Sequence, residues 1–182
     1  AATLAFSTIA NNDKVGVIFF SDKIEKYIPA QKGKTHVLHI IRELLSFEPN
    51  SKGTDMAQAL QYFANAQKRH CTAFLISDFI GAGAVDKPLL IASNRHEVNA
   101  IQIYDRREAE LPNIGLVKFH DAESDKDLWI DTSLATVRDD YAQAWKQNQD
   151  SLEQLFTRTG VNHISVRTDE DYVKALMHLF RC

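Results

Sequence analysis

The feature that most constrains this chain is a repeated alternation. Short, continuous apolar runs are separated by segments with helical periodicity. Val15–Phe20 (VGVIFF) is such a run, and Thr72–Ser77 (TAFLIS) and Val98–Tyr104, the latter broken by Asn99 and Gln102, read as further strands of the same kind. Each is short and rich in β-branched or aromatic residues, so each reads as a strand buried on both faces. Parallel strands need crossovers of a dozen or more residues, usually helical. The predicted fold class is therefore α/β, with a mostly parallel sheet and helices on both faces.

The other segments fill in the order. Residues 1–10 read as a helix with Leu4, Ala5, Ile9 and Ala10 on one side and Asn11 and Asn12 as stop signals. Ile24–Ile28 is a weaker strand ended by Pro29. Thr35 is placed to cap a helix whose apolar positions are Val37, Leu38, Ile41, Leu44 and Leu45. Phe47–Gly53 is a loop. The next helix turns Met56, Leu60, Phe63 and Ala64 inward and carries Lys68 and Arg69 near its C-terminal end, where the dipole favours cations. Gly81 and Gly83 form a loop, and Pro88 suits the first turn of a helix to about Asn94. Leu116–His120 and Leu128–Asp131 flank the polar turn Ala122–Asp127 and predict a hairpin. Val137, Tyr141, Trp145, Leu152 and Phe156 mark a long helix closed by Gly160. His163–Val166 is a last strand, and Thr168 with Asp171 resembles a capping box for a final helix through Phe180.

Composition narrows the function classes. A chain of 182 residues, 45% hydrophobic and 25% charged, suits one domain with a real core. No run approaches the ~18 apolar residues of a membrane span. The net charge is −3, with mixed signs along the chain, which speaks against nucleic acid as a partner. Cys71 opens an apolar run and reads as a buried thiol, while Cys182 ends the chain. With no Cys-x-x-Cys pattern, the expected setting is reducing and cytoplasmic.

Most motifs reduce to ordinary structure. Gly33-Lys34-Thr35 ends like a phosphate-binding loop, but the glycine required five residues earlier is Ile28, so a turn and helix start is expected. His36 and His39 share a helix side without a third ligand, which makes a poor zinc site. His70-Cys71 reads as a strand entry. There is no Gly-x-Ser-x-Gly elbow and no Gly-x-Gly-x-x-Gly fingerprint. Asp131-x-Ser133 reads as a helix start, with Thr132 or Ser133 as the N-cap. Two features remain. Gly53-Thr54-Asp55 opens a helix, and Ser77-Asp78 ends a strand, where ligands bind in open α/β sheets. Hydroxyl and carboxylate oxygens there are the hard ligands magnesium takes.

The order of motifs carries a resemblance over essentially the whole chain. Asn11-Asn12-Asp13-Lys14-Val15-Gly16, Phe20-Ser21-Asp22, Gly53-Thr54-Asp55 and Ile76-Ser77-Asp78-Phe79 resemble a von Willebrand factor A-type domain. The match is nearer to one bacterial branch, domain of unknown function fifty-eight, found alongside MoxR-type AAA+ ATPases. Tyr104-Asp105-Arg106-Arg107-Glu108-Ala109-Glu110-Leu111-Pro112, Trp129-Ile130-Asp131-Thr132-Ser133 and Thr168-Asp169-Glu170-Asp171 fit its later pattern.

The resemblance implies a metal-ion-dependent adhesion site. There a magnesium ion is held by an Asp-x-Ser-x-Ser motif after the first strand, a Thr and an Asp, and a partner's carboxylate fills the open position. By this resemblance Thr54 is the Thr and Asp78 the Asp, with Ser77 and Asp55 as neighbours. The first motif and its central strand should precede Ala1, so the chain is expected to be one domain, residues 1–182, truncated at its N-terminus and holding magnesium weakly or not at all. The missing strand predicts a rearranged sheet or strand pairing between copies. The implied function is non-enzymatic protein binding with a MoxR-like ATPase. The alternative is a metal-dependent hydrolase or phosphotransferase using Asp78.

Overall fold

A computed structural model of the chain describes residues 1–51, 53–81, 83–121 and 126–179. Its elements are α1 (Ala2–Ala10), β1 (Val15–Phe20), β2 (Ile24–Gln31), α2 (Lys34–Ser46), α3 (Met56–Ala66), β3 (Thr72–Ser77), α4 (Asp86–Ser93), β4 (Glu97–Tyr104), α5 (Arg106–Ala109), β5 (Leu116–Asp121), β6 (Lys126–Asp131), α6 (Ala135–Thr159), β7 (Asn162–Arg167) and α7 (Tyr172–Leu179). The predicted order holds, with the single turn α5 added. The chain divides into two compact units, residues 1–68 with 81–88, and residues 69–80 with 89–182.

Among the described residues the strands form three sheets rather than one. In the first unit β1 pairs, among the described residues, with β2 alone, antiparallel. This corrects the expectation of a doubly buried parallel strand: β1 is half-buried or exposed along its length, as an antiparallel ribbon allows. β2 also runs past Pro29 instead of ending there. Val17 faces Ile28 and Val15 faces Gln31, so Pro29 and Ala30 stand opposite Gly16 alone. That is a bulge, where a residue without an N–H costs no ladder bond. Gly16 is required opposite it, because a Cβ there would lie 2.7 Å from the Ile28 carbonyl oxygen and 2.8 Å from the Ala30 nitrogen.

In the second unit β3, β4 and β7 form a parallel sheet in the order β3-β4-β7. The central strand is buried from Val98 to Gln102. β3, paired on one edge only, is half-buried, not enclosed. The hairpin β5–β6 forms as expected, with Val117 opposite Ile130 and Phe119 opposite Leu128. Part of its predicted turn, residues 122–125, lies outside the described residues, as do Phe180 and Cys182.

Helix ends differ most from the sequence reading. α2 starts from Gly33 (φ 105°), not from a Thr35 cap, and it buries Val37 and Ile40 while Leu45 stands exposed. α3 stops at Ala66, so Lys68 and Arg69 lie beyond its last turn. α6 starts after Leu134 with no side-chain cap. Thr132 and Ser133 do other work: the Thr132 hydroxyl donates to the Gly115 carbonyl (2.8 Å) and accepts from the Ile114 N–H (3.0 Å), and the Ser133 hydroxyl donates to Asp131 (2.6 Å). The Thr168–Asp171 capping box does not form either. Thr168 bonds elsewhere, and Asp171 alone accepts from the Val173 N–H (3.0 Å) at the start of α7. Gly160 closes α6 in the left-handed region (φ 65°), as the sequence implied.

Candidate functional site

The parallel register brings the C-terminal ends of three strands together. Ser77 pairs with Gln102, and Tyr104 pairs with Arg167. An open cleft of about 360 Å³ lies there, lined by Ile76, Ser77, Asp78, Ile103, Tyr104, Asp105, Glu108 and Thr168.

A tight turn sets Asp78. Its Oδ1 accepts from the Ile80 N–H (3.0 Å) and, at 3.4 Å, from the Ser77 hydroxyl, while Ser77 Oγ accepts from the Phe79 N–H (3.1 Å). Phe79 takes φ 60°, a costly conformation for a side chain of its size. Its ring offsets that cost by filling the core, 2% exposed and edge-on to Phe156 at 5.3 Å. Asp78 is thus held at the surface by an anchor one residue later.

Gln102 ties the strand ends from beneath. Buried in β4, its Nε2 donates to the Asp78 carbonyl (3.2 Å) and its Oε1 accepts from the Ser165 hydroxyl of β7 (2.8 Å). Asp105 holds the neighbouring lip. It accepts from the Arg107 N–H (2.8 Å) and the Thr168 hydroxyl (3.1 Å), and its own N–H donates to Glu108 (3.2 Å). The Arg107 N–H, then Thr168, hold the Asp105 carboxyl below the usual aspartate range. Sequence reasoning missed Gln102, Asp105, Glu108 and Thr168 as parts of this site. One signal was available for Gln102: an amide side chain inside the apolar run Val98–Tyr104 must find partners if buried.

Thr54 and Asp55 belong to the first unit, Ser77 and Asp78 to the second. Thr54 is exposed in the loop before α3. Asp55 is the N-cap of α3, accepting from the Gln58 N–H (2.9 Å), and its N–H donates to the Ser21 carbonyl (2.8 Å). Ser21 is buried and donates to Glu25 (2.8 Å), which also accepts from the Asn50 side chain (2.7 Å). The Asn50 amide, then Ser21, hold the Glu25 carboxyl below its usual range. The loop is thereby fastened to the end of β1.

These donors supply only part of a magnesium shell. The ion takes six oxygens in near-octahedral geometry. The cleft offers the carboxylates of Asp78 and Asp105, whose oxygens accept hydrogen bonds yet keep lone pairs. Among the described residues no three His, Cys, Asp or Glu side chains gather in a metal-holding group. The histidine pair of α2 is likewise divided: His36 Nε2 donates to the Val15 carbonyl (2.8 Å), and His39 faces Glu43 at 3.8 Å.

Comparison with known proteins places the chain. It is 30% identical over 177 residues to uncharacterised proteins of Mycobacterium tuberculosis and Mycobacterium bovis, covering 95% of this chain and 55% of theirs. The chain thus spans about half the length of those relatives. An uncharacterised protein of Mycobacterium avium is 30% identical over 158 residues, 85% of this chain and 92% of that protein. Two solved structures share the fold at low identity. One is a conserved hypothetical protein, BatB, from Bacteroides thetaiotaomicron, with TM-score 0.57, 14% identity, and coverage of 99% of this chain and 85% of that one. The other is an aerotolerance-related membrane protein from Bacteroides fragilis, with TM-score 0.59, 15% identity, and coverage of 100% and 87%. No described helix here is long and apolar enough to cross a membrane. The family model "protein of unknown function DUF58" matches residues 1–151, and with the mycobacterial relatives this makes the chain a member of the DUF58 family.

Proposed function

We propose that this chain is part of a non-enzymatic protein-binding module, a von Willebrand factor A-like domain that works in the cytoplasm with a MoxR-like AAA+ ATPase. Its binding face is the cleft at the C-terminal ends of β3 and β4. One observation carries the reading: the buried Gln102 braces the turn that presents Asp78 at the surface, beside the lip held by Asp105 and Thr168. A binding face needs such rigidity, because side chains already fixed lose little entropy on association.

The non-enzymatic part of the proposal rests on Ser77. A nucleophilic serine needs a base that takes its proton. Ser77 Oγ instead accepts from the Phe79 N–H, and its 3.4 Å approach to Asp78 is long for a hydroxyl donor. A serine bound this way organises a turn. Magnesium enters as a test, not as a step. If a cation bridges Asp78 to a partner's carboxylate, residues beyond this chain complete its shell.

The experiment is capture of a MoxR-like ATPase by the full-length protein, in magnesium and in excess chelator. Asp78→Ala should reduce capture at least about tenfold, equivalent to about 1.4 kcal/mol, without altering the circular dichroism spectrum. Undiminished capture by Asp78→Ala would remove the cleft from the binding face. Equal capture in chelator would remove the metal from the mechanism. Turnover of generic phosphate or ester substrates, lost in Asp78→Ala, would replace the binding reading with the hydrolase one.

A further inference from the structure

A second concave surface is lined by Arg106 and Arg107 of α5, where the strand-end cleft takes Glu108. It is a groove of about 570 Å³. Leu111, Ile114, Val117 and Phe119 line it with apolar side chains, and Arg106, Arg107 and Glu110 line it with charged ones. Its volume is in the range of ligand-binding clefts.

The groove is built before anything enters it. Leu111 is buried at its base. The Thr132 hydroxyl fixes the entry to β5 through the Gly115 carbonyl and the Ile114 N–H. The charged lining is anchored at both sides of one residue: the Arg107 N–H donates to Asp105, and its carbonyl accepts from the Tyr141 hydroxyl (3.2 Å). Its charge is only loosely engaged, with the Arg107 guanidinium acting on the nearby Asp105 carboxylate. Arg107 has no ion-pair partner within 4 Å among the described residues, and Arg106 meets Glu110 only at 3.6 Å with both side chains 68% exposed. Such surface pairs are worth little and exchange readily.

We propose that this groove docks an acidic segment of a partner protein, with a large apolar side chain seated against Val117 and Phe119 and its carboxylates on Arg106 and Arg107. The charge argues for a foreign segment over a second copy. A two-fold dimer places the same patch on itself, net positive against net positive, because Arg106 and Arg107 outnumber Glu110 in the lining. Arginine favours the carboxylate because its planar fork accepts both oxygens.

The test uses three fluorescein-labelled hexapeptides and fluorescence anisotropy: Glu-Glu-Leu-Phe-Glu-Glu, the same peptide with lysine for glutamate, and Glu-Glu-Ser-Gly-Glu-Glu. The first should bind at least tenfold tighter than either other, and its binding should fall as salt rises. Arg107→Glu should weaken it at least tenfold. Ile114→Asp, at a position 65% exposed, should do so too and guards against one variant misfolding. Asp78→Ala should leave it unchanged, so failure here and failure of the strand-end cleft are read separately. Equal binding of the three peptides, no binding at millimolar concentration, or indifference to both groove variants would overturn the proposal. So would a dimer, seen by sedimentation, that Arg107→Glu dissolves.

Discussion

Thr132 carries more structure than its neighbours suggest. It is 1% exposed, and one hydroxyl serves both the Gly115 carbonyl and the Ile114 N–H. Thr132→Val keeps the shape and removes both bonds. The Ile114 N–H then loses its acceptor, so the variant should be less stable by about 1–3 kcal/mol in urea denaturation. From sequence, Thr132 reads as a helix cap, since hydroxyls before an apolar-periodic run usually are caps. The local pattern carried no sign of the chain returning past Gly115. Asp105 makes a complementary case. Its carboxyl is held below the usual range in the folded chain, so its stabilisation is present above the ordinary aspartate pKa and is lost as pH falls through the lowered folded value. Asp105→Asn should therefore be less stable than the parent near neutrality. The gap should narrow as pH falls between about 5 and 2, read from urea midpoints. A gap that is flat across that range would mean the carboxylate charge contributes nothing. Asp78 and Ser77 were legible because they end an apolar run. Gln102 in β4, Asp105 just after it and Thr168 at the end of β7 join Asp78 only when three strands distant in sequence lie in register.

At the scale of elements, the β1–β2 ribbon shows what composition alone misjudges. Val15–Phe20 is apolar throughout, yet it pairs on one edge and is half-buried. Apolar content predicted a strand correctly; it could not specify the partner or its direction. Pro29 looked like a terminus because proline lacks the ladder N–H, but the bulge opposite Gly16 absorbs it. This pairing predicts a sharp contrast between two glycines. Gly16→Ala puts a Cβ 2.7 Å from the Ile28 carbonyl oxygen, a backbone atom that cannot move without breaking the ribbon. The cost should be about 1–3 kcal/mol by thermal or urea denaturation. Gly53, in the Gly-Thr-Asp motif, has only the Asp22 Cβ at 3.5 Å, an ordinary contact. Gly53→Ala should change stability by no more than about 0.5 kcal/mol. If both glycines respond alike, the bulge does not govern the register. The long helix α6 was readable in nearly full extent because its period and its Gly160 stop signal agree, which is the case where local and tertiary preferences reinforce each other.

At the scale of the molecule, the expected alternation of helices and strands is present, but among the described residues the strands are shared among three sheets in two units. Sheet order depends on contacts between residues far apart in sequence, and hydrophobic periodicity contains no term for them. The consequence is uneven protection of the backbone. Among the described residues β4 alone is hydrogen-bonded to strands on both edges, and it is buried from Val98 to Gln102. β1 and β2 have one paired edge each, and β2 is exposed at Pro29 and Ala30. Local opening of a ribbon breaks few apolar contacts, whereas exposing β4 requires separating the parallel sheet. In native-state hydrogen exchange the amides of Val98–Ile103 should therefore exchange last, at least about tenfold more slowly than those of Val17–Phe20. The difference bears on function, because Gln102 braces Asp78 from within β4. Gln102→Ala removes the brace, and the amides of Phe79 and Ile80 should then exchange faster while the β1–β2 amides keep their rates. Acceleration confined to the strand-end turn would support preorganisation of the binding face by β4. Uniform acceleration would mean that Gln102 serves global stability, and unchanged rates at Phe79 and Ile80 would mean that the turn holds Asp78 without it.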